Sequence, residues 1–254
     1  MHTLRKYRPY PLDGGKSDEC GQPAQRRGGA TLARTGTDGF HPPIEEYLKV
    51  IYELEEEGVP VIRARLAERL GHSPPTVTEM VTRLIDDGYL KADSRLLQMT
   101  IEGHSQAETV VRRHRLAERL LVDIIGIDWY KAHKEADRWE HVISDEVEPL
   151  LVGLLHNPQS CPHGNPIPGS GGAQLDLRSL STVKPGDRIR LRRIAECVET
   201  DLEMLIYLDT HGFRPGAVAD VSDRSPDGTL TLNVNGEMIA LTETMSANLY
   251  VDAP

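Results

Sequence analysis

The apolar residues of this 254-residue chain change their period partway along, and that change constrains its architecture more than any other feature. From Pro43 to about Leu155 they recur every three to four positions, as on amphipathic helices. From Val183 onward they fall in short β-type runs: Arg188 to Ile194, Val218 to Val221, Thr229 to Val234, Met238 to Leu241 and Asn248 to Val251. Pro185-Gly186, Pro215-Gly216, Asp227-Gly228 and Asn235-Gly236 break these runs as turns do. Helices followed by turn-punctuated strands predict an α+β chain ending in a small barrel of about 70 residues.

Inside the helical half, Ile44, Tyr47, Leu48, Ile51, Tyr52 and Leu54 form one stripe between Pro43, suited to a first turn, and Gly58, suited to a stop. Ile62 to Leu70, then Gly71-His72, then a helix capped by Ser73 and running to about Asp87 make a helix-turn-helix pattern. Two strand-like runs flank Asp93-Ser94-Arg95, which predicts a hairpin and hence a winged helix. A long helix is expected from the cap Thr100 to Ile125, closed by Gly126. It has more apolar positions than one small domain needs, which suggests a helical dimer interface. Asp128 and Ser144 are the expected caps of the next two helices.

Length allows a sizeable core and more than one domain. A formal net charge of −10 excludes an overall basic coat for nucleic acid, although a local basic footprint suffices to bind DNA. Three widely spaced cysteines, Cys20, Cys161 and Cys197, argue against a disulfide framework and favour the cytoplasm. No apolar run approaches a membrane span, so no membrane partner is expected.

The sequence His133-Lys134-Glu135-Ala136-Asp137-Arg138-Trp139-Glu140-His141 carries the chemistry. On a helix, positions 133, 137, 140 and 141 fall within roughly 100° of one another. Two imidazoles and two carboxylates on one face suit a divalent cation, or else a solvated, salt-bridged surface. His114 and Glu118 offer an i,i+4 pair on the preceding helix. Cys161-Pro162-His163 lacks a partner pair and reads as a turn in a Pro- and Gly-rich linker. No nucleophile motif or phosphate loop accompanies these residues, so neither an enzyme nor a small organic substrate is expected.

Ile51-Tyr52-Glu53-Leu54-Glu55-Glu56-Glu57-Gly58, Arg63-Ala64-Arg65-Leu66-Ala67-Glu68-Arg69-Leu70, His114-Arg115-Leu116-Ala117-Glu118-Arg119-Leu120-Leu121, Arg138-Trp139-Glu140-His141 and Gly164-Asn165-Pro166-Ile167-Pro168-Gly169 together resemble the diphtheria toxin repressor family of metal-activated bacterial repressors. The resemblance spans residues 43 to 252. It implies a winged-helix DNA-binding domain at 43–106, a helical dimerisation and metal-binding domain at 107–156, a linker at 157–182 and an SH3-like domain, similar to those of ferrous-iron transport proteins, at 183–252. Residues 1–42, poor in apolar side chains, are expected to be a disordered tail.

Carried over by position, the family's regulatory site implies Glu46, Asp137, Glu140 and His141 as ligands. Iron-responsive members have Met and Cys where this chain has Glu46 and Asp137. Carboxylates in place of sulfur point to Mn²⁺, with Fe²⁺ as the alternative. A second site implies His114, Glu118, His133 and Glu199; a further polar ligand of the family falls on Leu202, which cannot coordinate. Lys49 stands where two-metal members have an acid, so their closely spaced pair of ions is not expected. The DNA surface implied is Ser73, Pro75, Thr76, Thr78 and Glu79 on the recognition helix, with Arg63, Arg83, Lys91 and Arg95 on phosphates. The expected function is a manganese-activated homodimer on double-stranded operator DNA, repressing metal uptake genes.

Overall fold

The computed structural model describes residues 44–172 and 175–254; the expected tail at 1–42 lies outside them. Helices α1 (Ile44–Glu56), α2 (Arg63–Leu70) and α3 (Pro74–Asp86) pack around one core with the hairpin β1 (Leu90–Asp93) and β2 (Leu96–Met99). Tyr47, Leu48, Ile51 and Leu54, all buried, are the apolar stripe of α1. Between α2 and α3, Gly71 adopts the left-handed φ of 66° that ends α2. Ser73 then caps α3 by accepting from the Thr76 amide at 3.3 Å. Ser94 takes φ 55° at the hairpin tip, a conformation a short polar residue tolerates.

Helix α4 (Ile101–Arg119) continues as a π-helical stretch over Leu120–Ile125 before Gly126 stops it at φ 83°. Thr100 caps α4 and also hydrogen-bonds the carbonyls of Gly88 and Tyr89. The start of the long helix is thereby fixed against the residues that join α3 to the hairpin. A single turn (Trp129–Lys131) then leads into α5 (Ala132–Trp139), and α6 (Val147–Leu154) follows. Ser144, the expected cap, accepts from Val147 N at 3.4 Å one turn ahead, but the N-cap of α6 is Glu146, which makes no side-chain cap bond. Asp128 does not cap α5: its carboxylate is taken by the Tyr130 hydroxyl and Lys131 ammonium, and the turn between them moves the helix start away.

The C-terminal part is one antiparallel sheet in the order β3-β8-β4-β5-β6-β7. Its strands are β3 (Arg178–Ser179), β4 (Arg188–Ile194), β5 (Val218–Arg224), β6 (Leu230–Val234), β7 (Glu237–Leu241) and β8 (Leu249–Asp252). The sequence pattern had no counterpart for β3 or for the helices α7 (Glu196–Glu199), α8 (Leu202–Thr210) and α9 (Glu243–Ala247). Leu205 and Leu208 of α8 are buried against the inner face of the sheet with Phe213, so α8 plugs the curled sheet. No helix among the described residues is long and apolar enough to cross a membrane.

Gly103 shows how closely α4 seats on the first motif. A Cβ there would lie 2.1 Å from the Tyr89 carbonyl oxygen, a backbone atom that cannot swing aside. Gly103→Ala should therefore lower the stability of the full chain by about 1–3 kcal/mol through displacement of the helix. Urea unfolding should show this as a lower midpoint at unchanged slope.

Candidate metal centres

Helix α4 presents His114, Arg115 and Glu118 inward, and each is at most 1% exposed. Buried charge on one helix has to be met by its neighbours. Arg115 is met by Glu56 at 2.6 Å and Glu196 at 2.8 Å, tying α1 and α7 to α4. His114 and Glu118 open onto two adjoining clusters of acid and imidazole.

The first cluster holds Asp137 and Glu140. Its neutralising charge comes from Lys49, whose Nζ lies 2.7 Å from Asp137 Oδ1 and 3.0 Å from Glu140 Oε2. His114 Nδ1 adds a 2.5 Å contact to Glu140 Oε2. Burial alone would raise both carboxyls; Lys49 and His114 outweigh it and hold them low. Burial raises the half-buried Glu46 carboxyl, against the pull of Lys49 and His72. His141 is drawn elsewhere. Helix α5 ends at Trp139, so the regular projection of 133, 137, 140 and 141 onto one face fails at its last member. The His141 ring leaves that register, and its Nδ1 meets Glu45 Oε2 at 2.6 Å. Its Nε2 still stands 3.4 Å from Glu140 Oε1, an oxygen without a hydrogen bond among the described residues.

The second cluster gathers His114, Glu118, His133 and Glu199 from α4, α5 and α7. His114 Nε2 and His133 Nδ1 face each other at 3.0 Å, and His133 Nδ1 lies 3.4 Å from Glu118 Oε1 and 3.2 Å from Glu199 Oε2. Three further groups that sequence reasoning had not assigned here enter it: Glu196, Cys161 and His163. The turn expected at Cys161-Pro162-His163 is present, yet both of its polar side chains face inward and are buried. Their lone positions in the sequence carried no pairing signal; only the inward path of the turn reveals them. Leu202, by contrast, is 49% exposed and contributes nothing to the cluster.

The second cluster fits a cation by the state of its oxygens. Glu199 Oε1 accepts from Asn165 Nδ2 at 2.6 Å and Glu196 Oε1 from Arg115, while the other oxygen of each carboxylate makes no hydrogen bond among the described residues. Neither oxygen of Glu118 makes one. Buried carboxylates anchored on one side and unpartnered on the other are what a site shaped for an ion leaves behind. Burial and the Lys49 ammonium push the His114 imidazole down, but the Glu118 and Glu140 carboxylates raise it to about 9. His133 and His163 are likewise held well above the usual range against burial, by Glu118 and Glu199.

Of the expected DNA-contacting residues, Ser73, Pro75, Thr78, Glu79 and Arg83 are exposed on α3 or at its start, and Thr76 is half-buried. Arg83 stands 3.5 Å from Asp87. Lys91 and Arg95 project from the hairpin, and Arg63 is half-buried at the start of α2.

The sequence matches three family descriptions in succession. These are the iron dependent repressor N-terminal DNA binding domain over residues 40–96, the iron dependent repressor metal binding and dimerisation domain over 100–169, and the FeoA domain over 178–253. It is 42% identical over 221 residues to the iron-dependent repressor IdeR of Mycobacterium tuberculosis, covering 82% of this chain and 96% of that one. The diphtheria toxin repressor of Corynebacterium diphtheriae is 42% identical over 220 residues at the same coverage. A solved manganese-dependent transcriptional repressor in complex with manganese superposes with a TM-score of 0.76 at 30% identity, covering 83% of this chain and all of that one. With a DNA-binding motif, two acid–imidazole clusters and an SH3-like sheet in that order, the chain belongs to the diphtheria toxin repressor family of metal-dependent, DNA-binding transcriptional repressors, which are not enzymes.

Proposed function

We propose that this protein is a manganese(II)-activated homodimer that binds double-stranded operator DNA in the cytoplasm and represses metal uptake genes. The observation that carries the metal is the donor set around the first cluster. Glu46, Asp137 and Glu140 offer carboxylate oxygen and His141 an imidazole, and hard oxygen donors suit Mn²⁺ better than sulfur-seeking ions. A bound dication there supplies the positive charge that several close carboxylates require. Glu46 on α1 would then draw toward Asp137 and Glu140, fixing the DNA-reading helices against α4 and α5. Lys49 performs part of that neutralisation in the metal-free chain. Activation is thus a shift between two ways of balancing the same carboxylates. Iron(II) is the second reading, supported by the additional imidazoles of the second cluster and by the iron-dependent relatives.

On the DNA side, the exposed edge of α3 from Ser73 to Glu79 enters the major groove while Arg63, Arg83, Lys91 and Arg95 meet phosphates. Glu79 can accept from a cytosine amino group. The working division of the chain is a DNA-binding domain at 43–106, a dimerisation and metal domain at 107–156, a connecting stretch at 157–182 and the SH3-like domain at 183–252. For dimerisation the structure offers Ile124, Ile125, Val142, Leu150 and Leu154, all more than half exposed. Apolar exposure of this extent on neighbouring elements suits a self-complementary face.

Glu46→Ala should leave a folded dimer that no longer gains operator affinity on addition of Mn²⁺. Fluorescence anisotropy with Mn²⁺, Fe²⁺, Zn²⁺ and chelator in parallel reads this, and Mn²⁺-dependent binding retained by the variant would refute the coupling. Leu150→Glu should shift the protein from dimer to monomer in sedimentation velocity. The raised histidines give a signed pH dependence. The contribution of the His114 charge is fully present below the unfolded imidazole value of about 6.5 and is lost as pH rises through about 9. The melting temperature in chelator should therefore fall across that window. Affinity for Mn²⁺ should rise over the same window as bound protons leave, seen as buffer-dependent heats in calorimetry.

A further inference from the structure

Helix α3 buries Val77, Met80, Val81 and Leu84 in the core it shares with α1, α2 and the hairpin, and that packing decides which line of the helix faces outward. At about 100° per residue, positions 75, 78, 79 and 82 all fall within about 100° of one another, and Thr82 lies near the middle of the strip. All four residues are exposed. An i, i+3, i+4, i+7 set of this kind is what a reading helix lying in the major groove directs at base edges. From Pro75 to Thr82 the helix rises about 10.5 Å, close to three base-pair steps of about 3.4 Å. One turn further on, the same line reaches the exposed Asp86, an acid that a phosphate backbone repels, so the strip ends at Thr82.

The hydroxyls on this strip are turned to the helix itself. Thr82 Oγ1 donates to the Thr78 carbonyl at 2.8 Å, and Thr78 Oγ1 donates to the Pro74 carbonyl at 2.8 Å. A proton committed to a helix carbonyl is not available to a base, and the same bond selects one χ1 well of a β-branched side chain. What each threonine then offers the groove is its methyl, held in place before DNA arrives. Its match on a base edge is the C5-methyl of thymine, the methyl that the major groove displays.

We propose that Thr82 is a specificity-determining residue of operator recognition, its methyl packing on the C5-methyl of one thymine in each half-site. The rise from Glu79 to Thr82 is about 4.5 Å, which sets that thymine one or two base pairs from the base that Glu79 meets. A single methyl contact is a small increment, but a two-fold dimer makes it twice. This role rests on the groove placement of α3 given above and is independent of which dication activates the protein.

A duplex selected from a random library by the full wild-type chain, with Mn²⁺ or Fe²⁺ present, supplies the probe. Each thymine of a half-site is replaced in turn by uracil, which removes the C5-methyl and nothing else, and affinity is read by fluorescence anisotropy. At one thymine the replacement should weaken the wild type about fourfold in one half-site and about sixteenfold in both. Thr82→Ser keeps the hydroxyl and loses the methyl, so it should bind the thymine and uracil duplexes equally. Thr82→Val keeps a methyl at the same branch and should retain the full response. Position 82 is exposed, and both variants should melt in chelator close to the wild type. No sensitive thymine in the wild type, or a Thr82→Ser chain that responds to uracil as the wild type does, overturns the proposal. So does a Thr82→Val chain that loses the response, which marks a role for the hydroxyl. A loss in Thr82→Ser that is equal on unrelated DNA and comes with a shallower salt dependence overturns it too, since the side chain would then meet phosphates. Glu79→Gln separates the two levels: base preference unchanged in that variant as well removes α3 from the groove, whereas a changed preference there with no effect at position 82 sinks only the role of Thr82.

Discussion

The inward row of charge on α4 is the constraint around which the other elements arrange themselves. A helix with a buried imidazole, guanidinium and carboxylate on one face is unstable unless opposite charge arrives from outside it. It arrives from four directions: Glu56 on α1, Asp137 and Glu140 around the end of α5, Glu196 and Glu199 on α7, and His163 on the turn beside β4. Each contact fastens a separate stretch of chain to the same helix. Removing one partner would strand a buried charge, at a typical cost of about 3–5 kcal/mol, whereas losing a surface pair costs little.

This arrangement places the two clusters side by side and links them through one ring. His114 turns Nδ1 to Glu140 in the first cluster and Nε2 to His133 and Glu118 in the second. A histidine that binds through one nitrogen while the other meets a carboxylate has its orientation and proton placement set by both. One imidazole thus touches both clusters. Lys49 adds a complementary feature, since an ammonium carried by α1 sits between the carboxylates of Asp137 and Glu140.

Much of the fold was legible beforehand because it rests on local signals. Apolar periodicity with Ser73, Thr100, Gly71 and Gly126 at the ends located α2, α3 and the long helix of α4 to within a residue or two. The Pro-Gly, Asp-Gly and Asn-Gly turns located five of the strands. The short β3 and the plug helix α8 were missed, since neither shows a period that stands out from its surroundings. Of the candidate ligands, Asp137 with Glu140, and His114 with Glu118, His133 and Glu199, come together in space. Glu46 stays within electrostatic reach of the first group, and His141 pairs with Glu45.

By itself the sequence determined the order of domains, the reading helix and the supply of acid and imidazole on α4 and α5, because spacing on a helix dictates which side chains share a face. Only the tertiary structure decided which of them meet. Lys49 fills the first cluster because α1 crosses the end of α5. Cys161, His163 and Glu196 join the second because the turn before β4 and the helix after it fold back onto α4. Such meetings join residues more than 40 positions apart, which no local period can encode.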